Sequence, residues 1–201
     1  LSIIGGWLPT YFVDRLGLDP YAGRMRAMLI FAFFPLVVLF AQPLGELSFW
    51  YPVVLIGIGA AAHQSWSANL YSVVGDMFPK RSIATVTGIG GLAGGIGAFL
   101  INKASGMLFD YSERHWSTIN GTSLQEAFPQ FQNTETEKIF LEQHGVISIE
   151  EFLGQLASTG DAVSNGINTG YLIIFSFCAV AYLLAWVVMK TLVPRMKQVE
   201  L

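Results

Sequence analysis

Apolar runs separated by short polar breaks occupy most of the chain, at 1–13, 27–44, 50–78, 83–109 and 169–193. A helix that spans a bilayer needs about 20 predominantly apolar residues, and the last four runs approach or exceed that length. The first, LSIIGGWLPTYFV, lacks a basic n-region and a small-residue cleavage site, so a signal peptide is not expected. It reads as a helix whose start is cut away. The remaining long segment, 110–168, is polar, and its turn signals are Asn120-Gly121 and Asn165-Gly166. Within it, 134–144 and 149–156 carry apolar residues at helical spacing, and Ser148 with Glu151 forms a capping-box pattern, so two or three short helices outside the membrane are expected. The predicted fold class is therefore all-α: a polytopic transmembrane helix bundle with a small extracytoplasmic insertion at 110–168 and a tail at 194–201.

One of the apolar runs is interrupted. The centre of 50–78 reads His63-Gln64-Ser65-Trp66-Ser67-Ala68-Asn69, and polar side chains in hydrocarbon are costly unless they face protein or a water-filled path. At 100° per residue, these side chains surround the helix. Such a segment belongs in the middle of a bundle, with part of its surface lining a cavity. His63, Gln64 and Asn69 can donate and accept hydrogen bonds, and Trp66 supplies a flat apolar face, a mixture suited to a polyhydroxylated ligand. The alternative is that the serines and Asn69 bond neighbouring helices. Trp66 and Asn69, about 60° apart on the wheel, are the pair expected to meet a ligand first.

Composition supports the membrane reading, with 53% hydrophobic residues, 12% charged residues and a mean hydropathy of +0.52; a typical soluble domain carries about 25% charge. Nothing suggests nucleic-acid binding. Charge sorting also sets a topology, because cytoplasmic loops collect Lys and Arg. Arg15, Arg24 and Arg26, then Lys80 and Arg81, then Lys190, Arg195 and Lys197 fall on one side. The other side holds 45–49, with no basic residue, and 110–168, which has only Arg114 and Lys138 beside nine of the fourteen acidic residues. The C-terminus is expected in the cytoplasm.

Other motifs carry less. Cys178, a single cysteine, is read as packing. His115 and His144 lack partners at ligand spacing, and no metal or cofactor is called for. Asn120-Gly-Thr122 fits a glycosylation acceptor, a short and frequent motif. Six glycines between Gly88 and Gly97 match a loose dinucleotide pattern, but no strand precedes them. In a spanning helix they form small-xxx-small pairs, Gly90 with Gly94 and Gly91 with Gly95, which predict close helix packing. Lys103, near the outer end of the same run, either snorkels to the interface or contacts an anion.

Two stretches carry a resemblance. Residues 62–81, AHQSWSANLYSVVGDMFPKR, followed by 84–97, ATVTGIGGLAGGIG, resemble helices ten and eleven of major facilitator transporters, and more narrowly the anion:cation symporter branch that includes bacterial hexuronate transporters. Gly5-Gly6-Trp7 and Asp14-Arg15-Leu-Gly17, with Arg24 and Arg26 beyond, resemble the end of helix eight and the superfamily's loop signature, although 18–23 separates Gly17 from the next arginine. The resemblance implies the C-terminal portion of a twelve-helix transporter in the inner (plasma) membrane, working by alternating access. It implies an organic anion as substrate, a coupling cation, with protons preferred, and a separate N-terminal half bearing most of the charged site. His63, Gln64, Trp66 and Asn69 would form the sugar-facing wall, with Lys103 as a possible anion contact. Asp14, Arg15, Asp76 and Arg81 would belong to gating loops, Asp76 shaping the gate or pairing with an arginine. An enzyme is not expected, since the bundle's histidine has no carboxylate near it in sequence. A non-transporting sensor or scaffold that binds a partner through the acidic insertion is the alternative, and the insertion itself is read as a cap in preference to a lid.

Overall fold

The computed structural model describes residues 2–195, so the end of the predicted tail, with Lys197, lies outside the described residues. It is an all-α membrane-type helix bundle. Three described helical runs are long and apolar enough to cross a membrane: Pro20–Gly45, Lys80–Trp116 and Ile167–Leu192. Contacts divide the chain into two compact units, one made of residues 1–97 and 175–201, the other of 98–174.

The first unit opens with α1 (Ser2–Leu16). Gly17, at φ 63°, stops it, and its N–H bonds to the Val13 carbonyl at 3.1 Å. The Asp19 carboxylate then caps α2 (Pro20–Phe33), accepting from the Tyr21 N–H at 3.1 Å, and Pro20 fills the first helical position. The residues that separate Gly17 from Arg24 are thus a tight turn and the first turn of α2. A 3₁₀ segment (Phe34–Phe40), begun by Pro35, and α3 (Ala41–Gly45) continue this run. Next comes α4 (Trp50–Met77), an unbroken helix through the whole polar centre. It is long enough to span, but it is not among the three most apolar runs, because its middle is polar.

Tyr21, Met25, Met28 and Phe31 of α2 pack against Trp66 and Val73 of α4 to form the core of this unit. The later part of α9 (Ile167–Leu192) completes it with Tyr182, Trp186 and Met189. Two polar groups on this face are paired: Trp186 Nε1 donates to the Met25 carbonyl at 2.8 Å, and the Tyr21 hydroxyl donates to the Val193 carbonyl.

Helix α5 (Lys80–Trp116) contributes to both units. It carries no breaker after Phe109, so helix continues into the segment expected to be insertion. Its glycines differ from expectation. Among the described residues, an added Cβ at Gly88, Gly90, Gly91, Gly94, Gly95 or Gly97 would meet nothing within 4 Å. The close approaches occur elsewhere, notably at Gly5 and Gly23.

The second unit has its own core. Beyond α5 come β1 (Thr118–Ile119), β2 (Thr122–Ser123), α6 (Leu124–Ala127), a 3₁₀ turn (Pro129–Gln132), α7 (Thr134–Gln143), α8 (Ile149–Ser158) and β3 (Val163–Ser164). Asn120 and Gly121 both take positive φ, 51° and 82°, the turn that joins two-residue hairpins. β1 pairs antiparallel with β2 on one edge and with β3 on the other. The Asn120 amide closes the sheet, donating to Asp161 at 2.8 Å and accepting from the Ala162 N–H at 2.9 Å. Phe131, Phe140 and Phe152 meet at centroid distances of 5.3–5.6 Å, Phe140 edge to face with each of the other two, with Ile119, Leu124, Leu141 and Leu153 around them. The N-cap at Ser148 forms, its Oγ accepting from the Glu151 N–H at 3.2 Å, while the Glu151 carboxylate reaches back one residue beyond the cap to accept from the Ile147 N–H at 2.9 Å.

Candidate functional site

Two opposite faces of α4 line cavities. On one face, Ala68, Asn69 and Ser72 meet Gly5, Gly6, Pro9, Thr10, Val13 and Asp14 of α1, and Pro20 and Arg24 of α2, around a cavity of about 280 Å³. The spacing explains this face, since Ser65, Asn69 and Ser72 recur at i, i+4 and i+7 and fall on one side of a helix. The cavity is polar and carries both signs of charge. Arg24 Nη2 pairs with the Asp76 carboxylate at 2.8 Å, both side chains partly exposed, at 24% and 37%. That bond leaves most of the guanidinium's five donors unused by the pair.

Asn69 is 3% exposed. Its Nδ2 donates to the Ser65 carbonyl in its own helix and to the Gly5 carbonyl across the helix interface, each at 2.8 Å. The second bond has a cause in α1. In an α-helix the Gly5 carbonyl would accept from the N–H of residue 9, but residue 9 is proline and has none. Gly5 also permits the approach, because a Cβ there would stand 2.6 Å from Cα and Cβ of Ser65.

The opposite face is apolar. Ile56, Gly59, Ala60 and His63 of α4 meet Pro35, Val38, Phe175, Cys178 and Tyr182 around a cavity of about 300 Å³. At its polar edge, the Tyr182 hydroxyl lies 2.6 Å from His63 Nδ1, with the two rings edge to face. Trp66 lies between the two faces and is 9% exposed. It packs in the core against Tyr182 at 5.7 Å between ring centroids, and its indole N–H is buried without a hydrogen-bond partner.

The predicted site residues are thus divided. Asn69 and Asp14 share the polar cavity, and Asp76 reaches that cavity through its pair with Arg24. His63 lines the apolar cavity, and Trp66 is part of the core. Gln64 is exposed and lines neither cavity. Arg15, Arg81 and Lys103 are exposed, Lys103 on the part of α5 that belongs to the second unit. Sequence reasoning did not single out Thr10, Ser72, Pro9 or Tyr182. The signal for Ser72 was present as helical spacing on α4, and that for Pro9 as its place four residues after Gly5; Thr10 and Tyr182, set by neighbouring helices, had none. Among the described residues, no group of three or more His, Cys, Asp or Glu is placed to hold a metal ion.

The structure is a helical membrane bundle with a small cavity between helices, and sequence comparison adds a distant relative. The chain is 27% identical over 112 residues to the hexuronate transporter of Escherichia coli strain K12, and the hexuronate transporter of E. coli O157:H7 gives the same figures. The match covers 54% of this chain and 24% of each relative, so the chain spans about a quarter of the length of the curated relatives it matches. This is a distant relationship to a transporter. No protein-family model matches the chain. No solved structure matches it significantly.

Proposed function

We propose that this chain is the C-terminal portion of a secondary active transporter that takes up a hexuronate or a related organic anion, coupled to a cation, by alternating access. The observation that carries the reading is the polar cavity in which Asn69, Ser72 and Thr10 stand beside Arg24. Hydroxyl and amide groups suit a polyhydroxylated ligand, and a guanidinium with donors to spare suits a carboxylate. The cavity, at about 280 Å³, is slightly below the usual lower limit of about 300 Å³ for small-molecule pockets. That size fits one wall of a site completed by a separate N-terminal half. The distant similarity to hexuronate transporters supports the substrate class.

In this reading Asn69 belongs to the substrate wall and His63 and Gln64 to neighbouring surfaces of the same helix, while Trp66 holds α4 in place. Asp14, Arg15, Asp76 and Arg81 belong to the cytoplasmic gating loops, with Asp76 tied to the substrate cavity through its pair with Arg24, and Lys103 lies toward the outer end of its helix. Helices 1–13, 27–44, 50–78, 83–109 and 169–193 cross the inner membrane, the C-terminus is cytoplasmic, and 110–168 is an extracytoplasmic cap. Protons are the preferred coupling ion.

Uptake of radiolabelled glucuronate and galacturonate by cells expressing the complete reading frame tests the proposal. Uptake that saturates and collapses with a protonophore is expected. Absence of uptake of any sugar acid, with the protein present in the membrane, would overturn it.

A further inference from the structure

The polar cavity and the broken hydrogen bond of α1 share three residues, and that overlap has a mechanical meaning. Pro9 leaves the Gly5 carbonyl without a helical donor, and the close approach of α1 to α4 at Gly5 and Ser65 excludes a bulky substitute. An unpaired carbonyl between packed helices in a membrane is costly. Asn69 removes that cost with one amide hydrogen and uses the other on Ser65. Gly5, Pro9 and Asn69 all line the 280 Å³ cavity, so a hydrogen-bonding ligand there competes for the donor that pairs the Gly5 carbonyl. Proline within a helix is also where helices bend.

We infer that Asn69 is a positioning residue: its amide closes the gap that Pro9 opens in α1, and α1 bends at Pro9 when that amide is drawn into the cavity. Ligand occupancy is thereby linked to the angle of a helix that enters the cytoplasmic gate region through Asp14 and Arg15. Only this link to a ligand rests on the transport reading; the clamp itself does not.

Backbone amide exchange in the full-length protein, in lipid nanodiscs, tests the clamp. Asn69→Ala is expected to speed exchange in the first turns of α1 by about fivefold, the scale of one hydrogen bond. Pro9→Ala in the same background is expected to restore protection, because residue 9 then supplies its own N–H to Gly5. Normal α1 protection in Asn69→Ala, or no restoration in the double variant, overturns the proposal. If Asn69→Ala does not fold, the double variant decides: recovery of folding supports the clamp and failure of both overturns it.

The bending arm uses glucuronate uptake. Pro9→Ala alone is expected to lower the maximal rate several-fold with an unchanged KM, because a conformational step is lost and a binding contact is not. A wild-type rate in Pro9→Ala, where the wild type transports glucuronate, overturns the bending. Absence of uptake in the wild type counts against the transport reading and, with it, against the ligand link, while the exchange cycle still decides the clamp.

Discussion

Asn69 and Trp66 stand three residues apart in α4 and do different work. The amide of Asn69 serves two backbone carbonyls at the edge of a polar cavity, whereas the indole of Trp66 fills the core with its N–H unpaired. Truncating Trp66 to alanine should therefore act on stability, by about 3 to 5 kcal/mol, with thermal unfolding in detergent as the measurement. Gly5 is the complementary case. Gly5→Val must push Ser65 away and draw the Gly5 carbonyl off Asn69, a loss of about 1 to 3 kcal/mol. Gly91→Ala, at a position with nothing within 4 Å, should change stability by less than about 0.5 kcal/mol. Equal effects at the two glycines would sink this distinction.

At the scale of elements, the second unit shows local signals agreeing with the structure formed. Ser148→Ala removes the N-cap of α8 and should cost about 1 kcal/mol, seen as faster amide exchange in 149–158. The junction of α5 and α7 adds a pH dependence. Glu137 is 7% exposed; its Oε1 accepts from Arg114 Nη2 at 3.2 Å, and its Oε2 stands 3.0 Å from Arg114 Nε as an ion pair. Burial raises its pKa above the ordinary 4.5; the charge and hydrogen bonds of Arg114 oppose that rise, Asp110 adds to it and Lys138 works against it, and the net direction is upward. The folded protein then holds this proton more tightly than the unfolded chain does. Its contribution to stability is full below the unfolded value and is lost as pH rises through the folded one. Exchange protection of α7 should weaken as pH is raised from 4.5 toward neutrality, after correction for intrinsic rates, and Glu137→Gln should flatten that trend. An equal slope in both proteins would exclude Glu137 as its source.

For the whole molecule, the outward apolar side chains matter most. Leu92, Phe99, Leu184 and Val188 are more than half exposed, on helices long and apolar enough to span a bilayer. In water such a surface associates; the chain should stay with the membrane fraction after alkaline extraction, and release into the soluble fraction would contradict the membrane bundle. The gate can be tested at the same scale. Asp76→Asn breaks the pair with Arg24, a partly exposed contact worth up to about 1 kcal/mol. Stability should barely change, while glucuronate uptake by the complete protein should shift in rate. Unaltered kinetics would remove Asp76 from the gate.

Periodicity and apolar length were enough to indicate an all-α bundle with helices of membrane-spanning length, because burial in lipid or in a core imposes those patterns locally on the chain. The Ser148 N-cap and the Asn120-Gly121 turn were legible for the same reason: each is completed within a few residues. The partition of 63–69 into a polar wall, a core tryptophan and an apolar cavity was not legible. A wheel spreads side chains around a helix without saying which helix meets each side, and that choice was made by α1, α2 and α9, up to 119 residues away in the case of Tyr182 and His63. The glycines make the same point. Among the described residues those at 88–97 meet no side chain or backbone within 4 Å, whereas Gly5 has the contact, because close approach is a property of two helices and only one of them is written in any local motif.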